Sequence, residues 1–272
     1  MSAALRDALA IARYHIVFVA MAASLVFGWI FTGERPWALA LVVGIDWFLI
    51  NLMNRITDIE EDLKNGIPGT ERVARGKRLL TWSAAALMVG SFAATHWVWP
   101  ALTPLRVAVQ VIGLAYNYRL VPTPKGMRRF KEIYFFKNFM SAVLFVLTCF
   151  AYPLAAAGWP SGASFATVAT LVLFFVPFEL TYEILYDLRD LEGDRAEGIP
   201  TFPVAHGPEV ARRIIDGLLV LSASVLLAGF ALRAVGAREL LMLFAPLAQV
   251  FFYRPPDQSP QIVAKISAFR AW

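Results

Sequence analysis

The chain has 272 residues, of which 58% are hydrophobic and 17% charged, and its mean hydropathy is +0.59. A soluble domain has too little interior to hide that much apolar surface, so an ordinary water-soluble globule is excluded and a lipid bilayer is expected around the chain. The single cysteine, Cys149, excludes an internal disulfide and a cysteine metal cluster, and His15, His96 and His206 are too scattered for a histidine metal site. The net charge of +5 is a matter of where the charges lie, and no nucleic-acid partner is inferred from it.

Apolar runs of about 20 residues recur, the length needed to cross a bilayer. Eight spans are predicted, near 12–32, 36–54, 79–98, 101–118, 133–153, 163–186, 210–232 and 237–253. The N-terminal stretch lacks a short apolar core followed by a small-residue cleavage site. Its apolar run continues as a full span, so it reads as the first crossing and not as a signal peptide. Gly28, Gly90, Pro153 and Pro177 inside the runs are ordinary for membrane helices. No ten-residue alternation of a β-barrel is present. The tail PPDQSPQIVAKISAFRAW is short and polar for a further span, and is expected to lie on the membrane surface or to be a truncated ninth helix. The expectation is an all-α, polytopic membrane helical bundle of eight to nine transmembrane helices, a single domain over 1–272, with no obligate protein partner.

The basic residues follow the spans. Arg6 and Arg13 precede the first. Arg55, Lys64, Arg72, Arg75, Lys77 and Arg78 follow the second, and Arg119, Lys125, Arg128, Arg129 and Lys131 follow the fourth. Arg189, Arg195, Arg212 and Arg213 follow the sixth, and Arg254, Lys265 and Arg270 the eighth. Threading eight spans puts all of these on one side and leaves Arg35, Arg233 and Arg238 on the other. The positive-inside rule makes the basic side cytoplasmic, in the inner membrane of a bacterium.

On that side the line DIEEDLKNGIP at 58–68 recurs as DLEGDRAEGIP at 190–200. Four spans separate the copies, so the repeat is parallel, and a duplicated four-helix unit would explain it. Inverted-repeat exchangers, whose matching motifs face opposite surfaces, fit poorly. Residues four apart share a helix face, which aligns Asn54, Asp58 and Asp62 in one row and Glu183, Asp187, Asp190 and Asp194 in another. Stacked like charges repel, and desolvation near the apolar region adds to the cost, so a cation is expected to offset both. Oxygen donors without histidine or cysteine select a hard cation, Mg²⁺ before Ca²⁺ where phosphate is also bound. An EF-hand fits poorly because the acids have helical and not alternating spacing.

Lys137 is predicted about a turn and a half inside the fifth span, where a lysine needs a partner. Two acidic rows among basic loops suit a diphosphate bridged by Mg²⁺ and capped by Lys and Arg. A diphosphate at the membrane surface with an apolar interior behind it implies a lipid-tailed substrate, for which a prenyl diphosphate is the natural candidate.

At these residues the chain resembles the UbiA superfamily of intramembrane prenyltransferases. Asn54-Arg55-Ile56-Thr57-Asp58-Ile59-Glu60-Glu61-Asp62 is similar to the family's first motif, N-D-x-x-D-x-x-x-D. Asp190-Leu191-Glu192-Gly193-Asp194 matches the second, D-x-x-x-D, within the family-like stretch YDLRDLEGDRAEGIPTFPV. Glu71-Arg72-Val73-Ala74-Arg75-Gly76 resembles the R-P-x-x-S-G stretch, and Ala115-Tyr116-Asn117-Tyr118 with Lys131-Glu132-Ile133 and Lys137-Asn138 resembles the tyrosine-and-lysine segment. The resemblance implies a central cavity open sideways to lipid and two Mg²⁺ ions held by the acidic motifs. By matched position it implies Asn54, Asp58, Asp62, Asp190 and Asp194 as metal and diphosphate ligands, with Asp187 beside them. It further implies Arg72, Lys131 and Lys137 on diphosphate, and Tyr116 or Tyr118 on diphosphate or at the cation site. Three departures stand out. Arg55 occupies the place of the usual second-position Asp, Arg75 that of a Ser, and eight spans are counted where the family has nine.

The implied activity is Mg²⁺-dependent prenyl transfer from an isoprenyl diphosphate, through an allylic cation, to an acceptor. The acceptor is expected to be an aromatic ring or quinone precursor, with a tetrapyrrole alcohol or a sugar-phosphate-like molecule as alternatives. A membrane terpene cyclase would use the same ionisation. A non-enzymatic ion or lipid transporter fits less well, because a conduction path places acids at mid-membrane.

Overall fold

A computed structural model describes residues 3–64, 66–158 and 162–253. The protein is an all-α, polytopic membrane helical bundle, and its chain divides into two compact units, Met1–Ser164 and Phe165–Trp272.

The first unit begins with α1 (Ala3–Ala12) and α2 (Tyr14–Thr32). The first predicted span, 12–32, corresponds to α2, and Arg13, at φ 45°, separates it from α1. The chain leaves α2 through Gly33, whose φ of 77° is the left-handed stop that glycine accepts without strain. Then come α3 (Trp37–Thr57), α4 (Ile59–Lys64), α5 (Thr70–Val98) and α6 (Leu102–Asn117). A two-stranded antiparallel hairpin, β1 (Val121–Thr123) and β2 (Gly126–Arg128), follows, with Pro122 opposite Met127. After a 3₁₀ turn (Phe130–Glu132), α7 (Phe136–Phe145) runs through a π-helical stretch (Val146–Ala151) into α8 (Tyr152–Ala157). The second unit contains α9 (Phe165–Arg189), α10 (Leu191–Glu197), α11 (Phe202–His206), α12 (Pro208–Ala231) and, after a 3₁₀ turn (Glu239–Leu243), α13 (Phe244–Tyr253).

Among the described residues six helices are long and apolar enough to cross a membrane: Tyr14–Thr32, Trp37–Thr57, Thr70–Val98, Phe136–Ala157, Phe165–Arg189 and Pro208–Ala231. The expected fourth and eighth spans are helical but shorter. The fourth, α6, has 16 residues and carries buried Arg106, Gln110 and Asn117. The eighth opens as a 3₁₀ turn. The third begins nine residues earlier than predicted, so Arg72, Arg75, Lys77 and Arg78 ride on a helix and not in a loop. Lys137 is the second residue of α7, at its start and not a turn and a half inside. The expected surface segment or ninth helix falls on 254–272, outside the described residues.

In the first unit α3 is the central element, with thirteen buried residues packed against α2, α5 and α6. Leu49, Leu52, Ile56, Val73 and Ala84 form one apolar cluster there. A Cβ built on Gly113 of α6 would come 2.7 Å from Ile50 Cγ1, so glycine is what lets α6 approach α3. Gly113→Val should therefore lower stability by roughly 1–3 kcal/mol, read as a fall in melting temperature in detergent. In the second unit α9 and α12 pair around Ile184, Ala211, Ile215 and Leu219. Ser222 Oγ donates to the Phe174 carbonyl at 2.7 Å, a polar bond of the kind that joins helices in lipid.

Candidate functional site

The first acidic line begins at the end of α3. That helix stops at Asp58, whose φ of −101° and ψ of 25° turn the chain before α4 restarts it. The four-residue hydrogen bonds nevertheless continue across the break. Asp58 N donates to the Asn54 carbonyl at 3.0 Å, and Asp62 N to the Asp58 carbonyl at 2.8 Å. The predicted row of Asn54, Asp58 and Asp62 is thus preserved through a kink. Ile67 N then donates to the Asp62 carbonyl at 2.9 Å and folds the Gly-Ile-Pro tail back on the row.

All three side chains are buried, at 8%, 8% and 7% exposure respectively. Buried carboxylates need partners, and each has them. Lys131 Nζ donates to Asp58 Oδ2 at 2.9 Å, and Arg129 lies 3.6 Å from Oδ1 of the same group. Asn54 Nδ2 donates both to Asp58 Oδ2 and, at 3.1 Å, to Asn117 Oδ1. Arg55 Nη1 pairs with Asp62 Oδ2 at 2.7 Å. Arg13 is half-buried close by. Desolvation, then the like charge of Arg55, push its guanidinium below the usual arginine range, while Asp62, Tyr116 and Asp58 pull it back up.

Lys131 owes its position to the 3₁₀ turn that caps the hairpin. Glu132 accepts from the Arg129 backbone N–H at 3.2 Å and from its Nε at 2.8 Å. Burial raises the Glu132 carboxyl, but the bonds from Arg129, with Arg119 beyond, outweigh it and hold the group below the usual carboxylate range. A depressed carboxyl contributes stability that is complete above its unfolded value and is lost as pH falls through the folded one. Protection of the 121–132 amides against hydrogen exchange, corrected for the pH dependence of the intrinsic rate, should therefore fall in acid, and Glu132→Gln should flatten that dependence.

The second line repeats this backbone. Asp190 has φ −93° and ψ 11° between α9 and α10. Asp190 N donates to the Tyr186 carbonyl at 3.0 Å, Asp194 N to the Asp190 carbonyl at 2.9 Å, and Ile199 N to the Asp194 carbonyl at 2.9 Å. Gly66 and Gly198 take matching φ values of 62° and 68°, which explains a glycine at that place in both lines. The side chains differ more. Asp187 and Asp194 are buried at 2% and 7%, whereas the Asp190 side chain is 49% exposed and pairs with Arg189.

The remaining candidates lie in the first unit. Tyr116 is half-buried in the last turn of α6. Tyr118 is 44% exposed at the end of α6. Arg72 is exposed in the first turn of α5, and Lys137 half-buried in that of α7. Asn117, which bonds Asn54, was overlooked although the two tyrosines flank it. A second polar group was also missed. Arg106 and Asp46, both 0% exposed, pair at 2.6 Å within the apolar interior of the first unit. An acid inside an apolar run is the sequence signal that would have found it. Within neither unit do three or more described His, Cys, Asp or Glu side chains gather closely enough to hold an ion among themselves.

These features define a class: a polytopic helical membrane protein with two matched acidic turns, one ringed by cations. The chain belongs to the UbiA prenyltransferase family, whose model matches residues 107–267. A digeranylgeranylglyceryl phosphate synthase of Methanopyrus kandleri is 31% identical over 170 residues, 60% of this chain and 55% of the relative. One from Methanobrevibacter smithii is 34% identical over 55 residues, 20% of this chain and 19% of the relative. The aligned part thus spans about half the length of the first of these relatives. A UbiA homolog from Archaeoglobus fulgidus, solved with GPP and Mg²⁺, superposes with a TM-score of 0.68 at 17% identity, over 97% of this chain and 95% of that one. A solved digeranylgeranylglyceryl phosphate synthase superposes with a TM-score of 0.64 at 20% identity, over 98% and 93%.

Proposed function

We propose that the chain transfers a prenyl group from an isoprenyl diphosphate to a small or lipid-soluble acceptor, with the residues of its acidic lines as metal and diphosphate ligands. The observation that carries this reading is the repeated turn. Two lines of a membrane chain place carboxylates at the same backbone positions, and the family to which the chain belongs is one of prenyltransferases.

The donor set of Asn54, Asp58, Asp62, Asp187, Asp190 and Asp194 is all oxygen and suits Mg²⁺. Among the described residues no three carboxylates converge within either unit, and Mg²⁺ is commonly held by one or two carboxylates together with substrate phosphates, so the donor set fits that pattern. The Asn54 amide nitrogen is committed to Asp58 and Asn117, which leaves its carbonyl oxygen for a cation. A bound Mg²⁺ neutralises the charge that grows on a departing diphosphate. Lys131, Arg72 and Lys137 hold its oxygens, and Tyr116 or Tyr118 hydrogen-bonds it or lines the path of the allylic cation. The acidic lines face the cytoplasm in the cytoplasmic membrane, as the basic loops imply. The matched turns also support descent of the chain from a duplicated four-helix unit, giving eight to nine spans in all.

The sequence points to an aromatic or quinone-precursor acceptor. The names of the curated relatives favour a glyceryl phosphate lipid instead. One experiment separates these readings. Purified protein with Mg²⁺ and labelled C10 to C20 prenyl diphosphates is offered a prenylglyceryl phosphate, an aromatic acid, or no acceptor. Label carried into the glyceryl lipid supports the glyceryl phosphate reading, and label in the aromatic product the aromatic one. A hydrocarbon formed without acceptor supports a cyclase.

A further inference from the structure

The hairpin that joins α6 to α7 carries charge that the proposed reaction does not use. From Tyr118 to Lys131 the chain has five cations, Arg119, Lys125, Arg128, Arg129 and Lys131, and no carboxylate. Arg129 and Lys131 are engaged by Glu132 and Asp58. Arg119 lies 3.4 Å from Glu132, a carboxylate that already accepts from Arg129 at 2.8 Å. Lys125 is exposed in the turn and Arg128 half-buried at the end of β2, and neither meets a carboxylate among the described residues. The strand pairing sets which way the hairpin faces. Pro122 pairs with Met127, so their side chains share a face, and both are exposed. Leu120, just before β1, and Met127 are each 52% exposed. Val121, Thr123 and Arg128, on the other face, are half-buried. The apolar face therefore points away from the protein. Both ends of the hairpin carry exposed rings: Tyr118 where α6 stops, and Tyr134, Phe135 and Phe136 where the span Phe136–Ala157 starts. Aromatic side chains at the ends of membrane helices mark the level of the lipid headgroups.

We propose that this hairpin is a docking surface for the anionic lipid headgroups of the bilayer that holds the protein. Arg119, Lys125 and Arg128 meet the lipid phosphates, Leu120, Pro122 and Met127 settle at the boundary with the acyl chains, and the flanking rings fix the depth. Basic segments beside a membrane helix are drawn to anionic leaflets, and apolar side chains among the cations add to the binding. The combination selects lipid over other anions. A nucleic acid or an acidic protein would use the cations and leave Leu120 and Met127 in water. The inference does not depend on the prenyl-transfer reading, but it has a consequence for that reading. The 3₁₀ turn that carries Lys131 to Asp58 follows directly on β2, so lipid that steadies the hairpin steadies the support of that turn.

The test places an environment-sensitive dye on the hairpin, through Met127→Cys in a Cys149→Ala background. The full chain is reconstituted in nanodiscs of phosphatidylcholine alone or of equal parts phosphatidylcholine and phosphatidylglycerol. Phosphatidylglycerol should shift the emission to the blue and lower quenching by acrylamide at least about twofold, and high salt should reverse both. Lys125→Gln with Arg128→Gln should abolish the difference between the two lipids in a protein that still melts cooperatively. Hydrogen exchange of the 119–128 amides in the undyed protein should slow with the same lipid and salt dependence, which separates the effect from the dye. Emission, quenching and exchange that are the same in both discs overturn the proposal, and so does a lipid difference that survives the double substitution. A blue shift that needs added nucleic acid or acidic peptide, and not phosphatidylglycerol, also overturns it and assigns the surface to that partner.

Discussion

Asp58→Asn and Asp190→Asn should each lower Mg²⁺-dependent turnover of a prenyl diphosphate by at least about 10²–10³-fold, the scale on which single electrostatic groups of an active site act. The two substitutions should part company in stability. Asp58 is buried against Lys131 and Arg129, so neutralising it leaves cations without their counter-charge, a change that costs about 3–5 kcal/mol in buried pairs. The Asp190 side chain is half exposed and paired with its neighbour Arg189, an interaction worth roughly 0–1 kcal/mol. Asp190→Asn should therefore lose activity at an almost unchanged melting temperature, whereas Asp58→Asn loses both. The pair separates a catalytic role from a structural one, which neither substitution does alone. Kinetics and thermal melts in one detergent check it.

Arg106→Met should be among the most destabilising single substitutions in the first unit. The Arg106 guanidinium clasps Asp46 through Nε at 3.0 Å and Nη2 at 2.6 Å. It also donates to the Ser91 carbonyl at 2.9 Å and to Thr95 Oγ1 at 2.8 Å, and lies 4.2 Å from the centre of the Phe92 ring. Tyr152 Oη and Gln110 Nε2 donate to the same Asp46 carboxylate at 2.9 and 3.0 Å. One fully buried ion pair thus ties α3, α5, α6 and α8 together. Removing the cation strands a carboxylate in an apolar interior and should cost about 3–5 kcal/mol. Replacing both partners, as in Asp46→Leu with Arg106→Met, should recover much of that loss, because a well-packed apolar pair often matches a buried ionic one. A double substitution as unstable as the single one would show that the surrounding hydrogen bonds, and not the stranded charge, dominate.

The helices and the acidic rows were legible because each rests on a local period. Apolar runs of span length and carboxylates four apart are visible without knowing any contact. The kink at Asp58 was not, since it preserves the same four-residue bonds that a continuous helix would make. The break at Arg13 was hidden because no glycine or proline marks it. α6 was read as a full span although its Arg106 and Gln110 face a buried acid on another helix, a pairing that composition conceals. The role of Arg55 was half visible. Its departure from the family pattern could be read from the chain, but its bond to Asp62 depends on the folded geometry.

The central claim is that this chain ionises a prenyl diphosphate with a divalent metal. It is tested most directly by following pyrophosphate release from labelled C10 to C20 prenyl diphosphates by the purified protein, with Mg²⁺ and with EDTA. Release that requires Mg²⁺ and disappears in Asp190→Asn is the predicted result. Release at the same rate in EDTA, or none at any chain length from a folded protein supplied with Mg²⁺ and each acceptor, would contradict it.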